Sequence, residues 1–300
     1  MSTKNTLVVV TCLEDKWKFE MLCRSMYAFL EPCNVIVIYN EMHKKMGEFF
    51  QWFDPIQAKF LKKFNVQAHS AAEFYPSKYL EKPYTDPVHA SGGWGKQQIL
   101  KILVSSHVST PEYVVFDSKN FFTRHCSLED IEKTTHHGSW TLKGVTEWTK
   151  LCCERLDLIY PGYHLKLRAN TTPYWVKTKV AKRLIQYIGS VDDFVCWFSE
   201  NAMAKGVSPA EFILYDLLET KLGQREEGTV LGNNATIWMH HIHGQKKSVN
   251  EIGEYIKNNP ACVAGFHGGV NNLLSLGDIK TILDICKISF ILPQYSSSPF

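Results

Sequence analysis

The chain has no stretch approaching the ~18 consecutive apolar residues that mark a membrane span. It has no Cys-x-x-Cys pair, and its nine cysteines are an odd number lying mostly in apolar runs. That pattern fits neither a disulfide scaffold nor a paired-thiol metal site; it fits a reduced, cytoplasmic protein. Charge of one sign is also missing: 33 Lys and Arg face 30 Asp and Glu, for a net charge of +3. This excludes the dense basic stripe of an obligate nucleic-acid binder. A local basic cleft for an anionic ligand needs only a few residues and stays open. Glycine-rich phosphate loops are absent, both Gly-x-Gly-x-x-Gly and Walker A. His-Glu-x-x-His and the Gly-x-Ser-x-Gly elbow are absent too, which removes zinc-helix proteases and serine α/β-hydrolases. No repeat or low-complexity segment interrupts the chain.

What is present is a large apolar complement: 45% of residues are hydrophobic and 13% aromatic, enough for one large domain or two small ones. Leu7–Val10 is a continuous apolar run, as expected of a strand buried on both faces. Acids at Glu14 and Asp15 follow too soon for a signal peptide. Phe19, Leu22, Cys23, Met26, Tyr27 and Leu30 recur at helical spacing, and Asn34–Tyr39 is a second buried strand. This strand–helix–strand opening implies a parallel sheet. Further along, the pattern predicts a helix over Ile56–Phe64, a strand near Val66 and a long loop over Pro76–Gly95. A helix over Trp94–Ser106, a strand at Tyr113–Phe116 and a short helix over Ser127–Thr135 follow. In the second half Pro173–Ile188, Asp192–Ala204, Ser208–Leu222 and Leu276–Cys286 read as helices. Thr236–His243 and Ala261–Phe266 read as strands, and Tyr295–Phe300 as a frayed tail. The fold class is α/β, one domain over residues 1–300 whose later part packs over the sheet edge and completes a cleft.

The most informative segment is Glu112–Arg124. Its strand ends on Asp117, and the polar residues Ser118, Lys119 and Asn120 follow. In open α/β sheets, ligands bind just beyond the carboxyl ends of the strands. An acid there, beside a cation and an amide, suits a phosphorylated or sugar-bearing ligand, although Asp, Ser and Asn are also ordinary turn residues. Other segments point to the same rim. Thr11 and Asn40 end the first two strands, Glu211 opens a late helix and His267 ends a late strand. Trp94, Lys96, Gln97, Gln98 and Lys101 open a helix after Gly92, Gly93 and Gly95, and helix N-termini attract anions.

Together these residues carry a resemblance. The opening unit, Trp94–Gly95–Lys96–Gln97–Gln98 with Lys101, and Asp117–Ser118–Lys119–Asn120 come first. Ser208–Pro209–Ala210–Glu211–Phe212–Ile213–Leu214–Tyr215 and Phe266–His267–Gly268 come later. In this order, over residues 5–290, the chain resembles glycosyltransferases of the GT-A fold. More narrowly, it is similar to a bacterial and phage family of proposed glycosyltransferases known only as a domain of unknown function. The resemblance implies a GT-A-like, Rossmann-like, mostly parallel sheet flanked by helices, with a helix-rich C-terminal half. It places nucleotide binding in residues 1–125 and the acceptor side in 126–300. It implies an enzyme that moves a hexosyl or pentosyl group from a nucleotide-sugar donor to a hydroxyl.

The central motif of that fold is Asp-x-Asp, two carboxylates that hold a divalent cation against the sugar nucleotide's pyrophosphate. Here it reads Asp117-Ser118-Lys119. A single carboxylate beside an ammonium holds Mg²⁺ or Mn²⁺ poorly. The expectation is therefore a metal-independent enzyme with no cofactor, in which Lys119, with Lys96 or Lys101, neutralises the phosphates. A metal on Asp117 and His267 is the weaker version. Asp117 is expected to meet ribose or sugar hydroxyls, Asn120 to add an amide contact and His267 to donate to the leaving diphosphate. Trp94 offers a flat face to a base or sugar ring. Thr11, Asn40, Gln97, Gln98 and Ser118 complete the expected donor-binding set. Glu211 is the candidate general base, although a glutamate in a first helical turn is favoured by the helix dipole alone.

The acceptor expected from this reading is a cell-surface glycan or a hydroxymethylated base of phage DNA, the latter needing its target flipped out. A non-catalytic nucleotide- or sugar-binding protein that keeps the fold is the alternative, raised by Lys119. His240, His241 and His243 cluster without an acid or Cys and speak only weakly for zinc.

Overall fold

The computed structural model describes residues 5–40, 46–76, 93–135, 139–141, 146–160, 166–168, 172–205, 211–224, 236–238, 247–265 and 274–293. Its centre is a five-stranded sheet built on β1 (Asn5–Thr11), β2 (Asn34–Tyr39), β3 (Asn65–Ser70), β4 (Glu112–Asp117) and a late strand, Tyr174–Lys177. The order is β3-β2-β1-β4 and then the late strand. The first four are parallel, and the late strand runs antiparallel to β4. Successive residues of these apolar runs enter opposite cores, which is why no polar alternation interrupts them. Val8, Val10, Ile36, Ile38, Tyr113 and Val115 face one core. Leu7, Val9, Val35, Val37, Val114 and Phe116 face the other.

Helix α1 (Lys16–Phe29) covers the second core with Phe19, Leu22, Cys23 and Met26, the spacing of one helical face. Its neighbouring face, Trp17 and Met21, enters a third cluster with two late helices, Val249–Asn258 and Leu276–Ile285. Helix α2 (Met46–Ile56) adds Phe49, Phe53 and Ile56 to the second core. The first core is roofed by α3 (Gly93–Leu103) and, later in the chain, by the helices Thr146–Arg155, Thr178–Ile188, Val191–Lys205 and Glu211–Lys221. A small sheet pairs Asn120–Phe122 antiparallel with Val263–Gly265, which pairs parallel with Thr236–Trp238.

Several sequence expectations are corrected. Pro173–Ile188 is not one helix. Tyr174, Trp175 and Val176 pair with β4 as an edge strand, and the helix starts at Thr178. Aromatic and β-branched residues fit a half-buried pleated surface, and Pro at a strand start removes no ladder bond. The helix expected over Ile56–Phe64 begins earlier, at Met46, and ends in a π-helical turn over Gln57–Leu61. The helix Val249–Asn258 went unforeseen despite its reciprocal cap, in which Ser248 and Glu251 bond each other's backbone amides. The strand Asn120–Phe122, the helix Thr146–Arg155 and a short hairpin pairing Ser139–Thr141 with Lys166–Arg168 were also unforeseen. Most of the expected loop over Pro76–Gly95 lies outside the described residues, as do Ser208–Pro209–Ala210 and the end of the strand expected over Thr236–His243.

Candidate functional site

Because β1 to β4 are parallel, their carboxyl ends share one rim. Val10 is in register with Asp117, so Thr11 stands one step beyond it, and Thr11 is in register with Tyr39. Asn40 follows, its amide donating to Thr11 O at 2.7 Å. The antiparallel edge strand begins where β4 ends, since Tyr174 pairs with Val115. Thr172 therefore arrives beside Asp117 from the other half of the chain. Its hydroxyl lies 3.1 Å from Asp117 Oδ2 and 2.9 Å from Asn120 Oδ1. Asn120 Oδ1 also accepts the Asp117 amide at 2.8 Å, which closes the turn after β4. Asn120 is 0% exposed, and its Nδ2 has no hydrogen-bond partner among the described residues.

The electrostatic centre is Lys101, one of the basic residues flagged in α3 and only 4% exposed. Its ammonium lies 3.2 Å from Asp117 Oδ1 and 3.1 Å from Glu211 Oε1, and 3.4 Å from Gln98 Oε1. The ring of Phe212 lies below it, 5.2 Å from the nitrogen to the centroid. Tyr113 fixes the helix turn beneath by donating to Lys101 O at 2.9 Å. Lys119 closes on the same acid from the outer side, 3.4 Å from Asp117 Oδ2 and 24% exposed at its side chain. Two carboxylates and two ammonium groups thus form one nearly neutral cluster.

These neighbours set the protonation states. Burial pushes the Asp117 carboxyl up, but the Lys101 and Lys119 ammoniums and the Thr172 hydroxyl outweigh it and hold it well below the usual carboxylate range. Burial also opposes charge on Lys101, and the two acids overcome it and raise its pKa. For Glu211 burial wins. Its pKa is raised, with Asp117 adding to the effect and Lys101 opposing it. Lys96 is half-buried and burial lowers its pKa.

Thus the expected residues Asp117, Asn120, Lys101, Lys119, Gln98 and Glu211 come together. Two others face structural partners instead. Ser118 donates to Asp15 Oδ2 at 2.9 Å, and Asp15 also accepts Lys18 at 2.8 Å, so Ser118 ties the turn to α1. Gln97 donates to the carbonyl of Val10 at 3.3 Å. Thr11 is buried at the rim, with its hydroxyl unpartnered among the described residues. His267 and the cluster His240, His241 and His243 lie outside the described residues, as does the side chain of Trp94. Thr172 and Asp15 were not foreseen. The Thr-Thr-Pro sequence at 171–173 was the available signal for the first, since Pro favours an extended neighbour.

The fold places the chain among known architectures. It is similar to the galactosyltransferase LgtC solved with donor and acceptor sugar analogues, at 8% identity and a TM-score of 0.52, over 97% of each chain. The glycosyltransferase GlyE of Streptococcus pneumoniae matches at 10% identity and a TM-score of 0.50, over 99% of this chain and 66% of that one. Mouse xyloside xylosyltransferase 1 matches at 9% identity and a TM-score of 0.47, over 90% of this chain and 99% of that one. At such identities the matches to LgtC and GlyE speak to the fold alone, and that fold is the GT-A fold implied by the sequence resemblance. By sequence, the chain matches no curated protein. A family model covers residues 5–256, and the chain belongs to that family, a family of unknown function (DUF6492).

Proposed function

We propose that this chain transfers a hexosyl or pentosyl group from a nucleotide sugar to a hydroxyl, and does so without a divalent cation. The observation that carries the reading is Asp117. It stands at the carboxyl end of a central parallel strand, 8% exposed, with both oxygens facing ammonium groups. That donor set does not suit Mg²⁺ or Mn²⁺, which want several oxygens free of competing cations. It suits a diphosphate. Lys119 is the cation on the outer side and swings to the phosphate oxygens when the donor arrives, while Asp117 accepts from sugar or ribose hydroxyls. The amide of Asn120, without a partner among the described residues, supplies a donor beside it.

In this reading Lys101 does not meet phosphate. Its charge is held by Asp117 and Glu211, and it keeps Asp117 ionised and oriented. Glu211 is 1% exposed, so it serves as the counter-charge of Lys101 rather than as the base first expected of it. The acceptor is a glycan hydroxyl or the hydroxymethyl group of a DNA base. Salt-sensitive binding to duplex DNA identifies the second, and binding indifferent to salt the first.

The test is a panel of sugar nucleotides, read by thermal shift with excess EDTA. A ligand that binds the native state raises the melting temperature by mass action. At least one sugar nucleotide raises it in EDTA, and Lys119→Ala abolishes the shift. A panel without any stabilising member overturns the reading.

A further inference from the structure

A second group of ligating atoms lies at the carboxyl end of β3, the outermost strand of the main sheet, and shares no residue with the cluster around Lys101. His69 is on β3, Glu73 ends the 3-10 turn Ala71–Glu73 that follows it, and His107 sits in the turn after α3. One ligating atom from each of the three lies within 4.8 Å of the other two. His69 Nδ1 is 2.8 Å from Glu73 Oε2, and the two imidazoles stand 4.8 Å apart between centroids at 65°. The group is anchored. Glu73 Oε1 accepts the Ser70 amide at 2.7 Å, within a reciprocal cap. His107 Nδ1 lies 2.9 Å from Ser106 Oγ.

An ordinary His–Glu pair on one turn accounts for His69 and Glu73. It does not account for His107, brought to the same point from the far side of α3. Nor does it satisfy His69 Nε2, which is buried and has no hydrogen-bond partner among the described residues.

We propose that His69, Glu73 and His107 bind a divalent transition metal of the zinc class. Two imidazoles and a carboxylate are a borderline-soft set that suits Zn²⁺ and not the all-oxygen ions Mg²⁺ and Ca²⁺. Tetrahedral zinc holds its ligand atoms about 3.4 Å apart. The His69–Glu73 contact opens slightly and the exposed His107 side chain moves inward to reach that spacing, and water fills the fourth position. The metal ties the end of β3 to the end of α3, the helix that carries Lys101, so it braces the rim from outside. The proposal is independent of sugar transfer.

The full chain, stripped with EDTA and dialysed, is titrated with ZnCl₂ by calorimetry and with CoCl₂ by visible absorption. One equivalent binds, and Zn²⁺ raises the melting temperature. The Co²⁺ spectrum shows tetrahedral bands without thiolate charge transfer, which separates this site from the nine cysteines. His107→Ala weakens Zn²⁺ binding by more than about tenfold while its melting temperature in EDTA stays that of the parent. His69→Ala serves as the second variant. Unchanged zinc affinity in both variants overturns the proposal, as does a cobalt spectrum dominated by thiolate or no binding at all.

Discussion

Asp117 and Glu211 share one ammonium: Lys101 Nζ lies 3.2 Å from the first and 3.1 Å from the second. All three are buried, so removing the cation leaves Glu211 out of water without that ammonium and Asp117 with Lys119 alone. Lys101→Met should cost about 3–5 kcal/mol, the usual result of breaking a buried ion pair from one side. Adding Glu211→Leu should recover part of that loss, because the buried acid that lost its cation is then gone. Urea unfolding of the three proteins checks both steps.

The same cluster sets a pH dependence. The carboxyl of Asp117 is held below its ordinary value, near about 3.9 when unfolded. Its contribution to stability is present above that value and is lost as pH falls through the lower folded-state value. Lys101 has a raised value, so its contribution is present below its ordinary pKa and is lost as pH rises through the folded one. Glu211 behaves oppositely to Asp117. Its raised pKa favours the native state more at low pH, so protonating it offsets part of the acid loss. The gap in urea midpoint between the parent and Asp117→Asn should hold from neutral pH down to about pH 4 and narrow only below it. A gap that closes already above that range would mean that Asp117 is not held ionised by its neighbours.

In the proposed reading Lys119 stands where an Asp-x-Asp motif has its second acid. Lys119→Ala should lower kcat/KM by about a hundredfold or more, the scale for losing one charge-stabilising group. Lys119→Asp restores the two-carboxylate pair, and any activity it retains should require Mn²⁺ and vanish in EDTA, while the parent is indifferent to both. Sugar-transfer assays with and without chelator distinguish these outcomes.

Glu211→Gln separates a counter-charge from a base. As a counter-charge, its loss lowers the melting temperature, changes kcat by less than about tenfold and leaves the acidic limb of the pH–rate profile in place. A hundredfold loss of kcat at an unchanged melting temperature would return the base role to Glu211.

Strands β1, β2 and β4 were legible because they are buried on both faces, and such strands are written as unbroken apolar runs. Asp117 was legible for the same reason, as the first charge after such a run. Lys101 was visible as a basic residue near a helix start, but not as a buried one. A lysine on an amphipathic helix looks solvated until distant acids are brought to it. Thr172 was illegible because its partnership depends on a strand pairing made across more than fifty residues. The edge strand itself was misread, since Tyr174, Trp175, Val176, Val180 and Leu184 satisfy a helical period as well as a short strand, and periodicity alone does not separate the two.

The edge strand that runs against β4 has one more consequence. The cluster around Asp117 is assembled by two lengths of polypeptide travelling in opposite directions, one made early in synthesis and one late. A shortened protein ending after Asn120 would own the carboxylate but neither Thr172 nor Glu211, and Lys101 would hold a single acid. The cluster is therefore complete only once the later helices have docked, and no ribosome-bound early half possesses it.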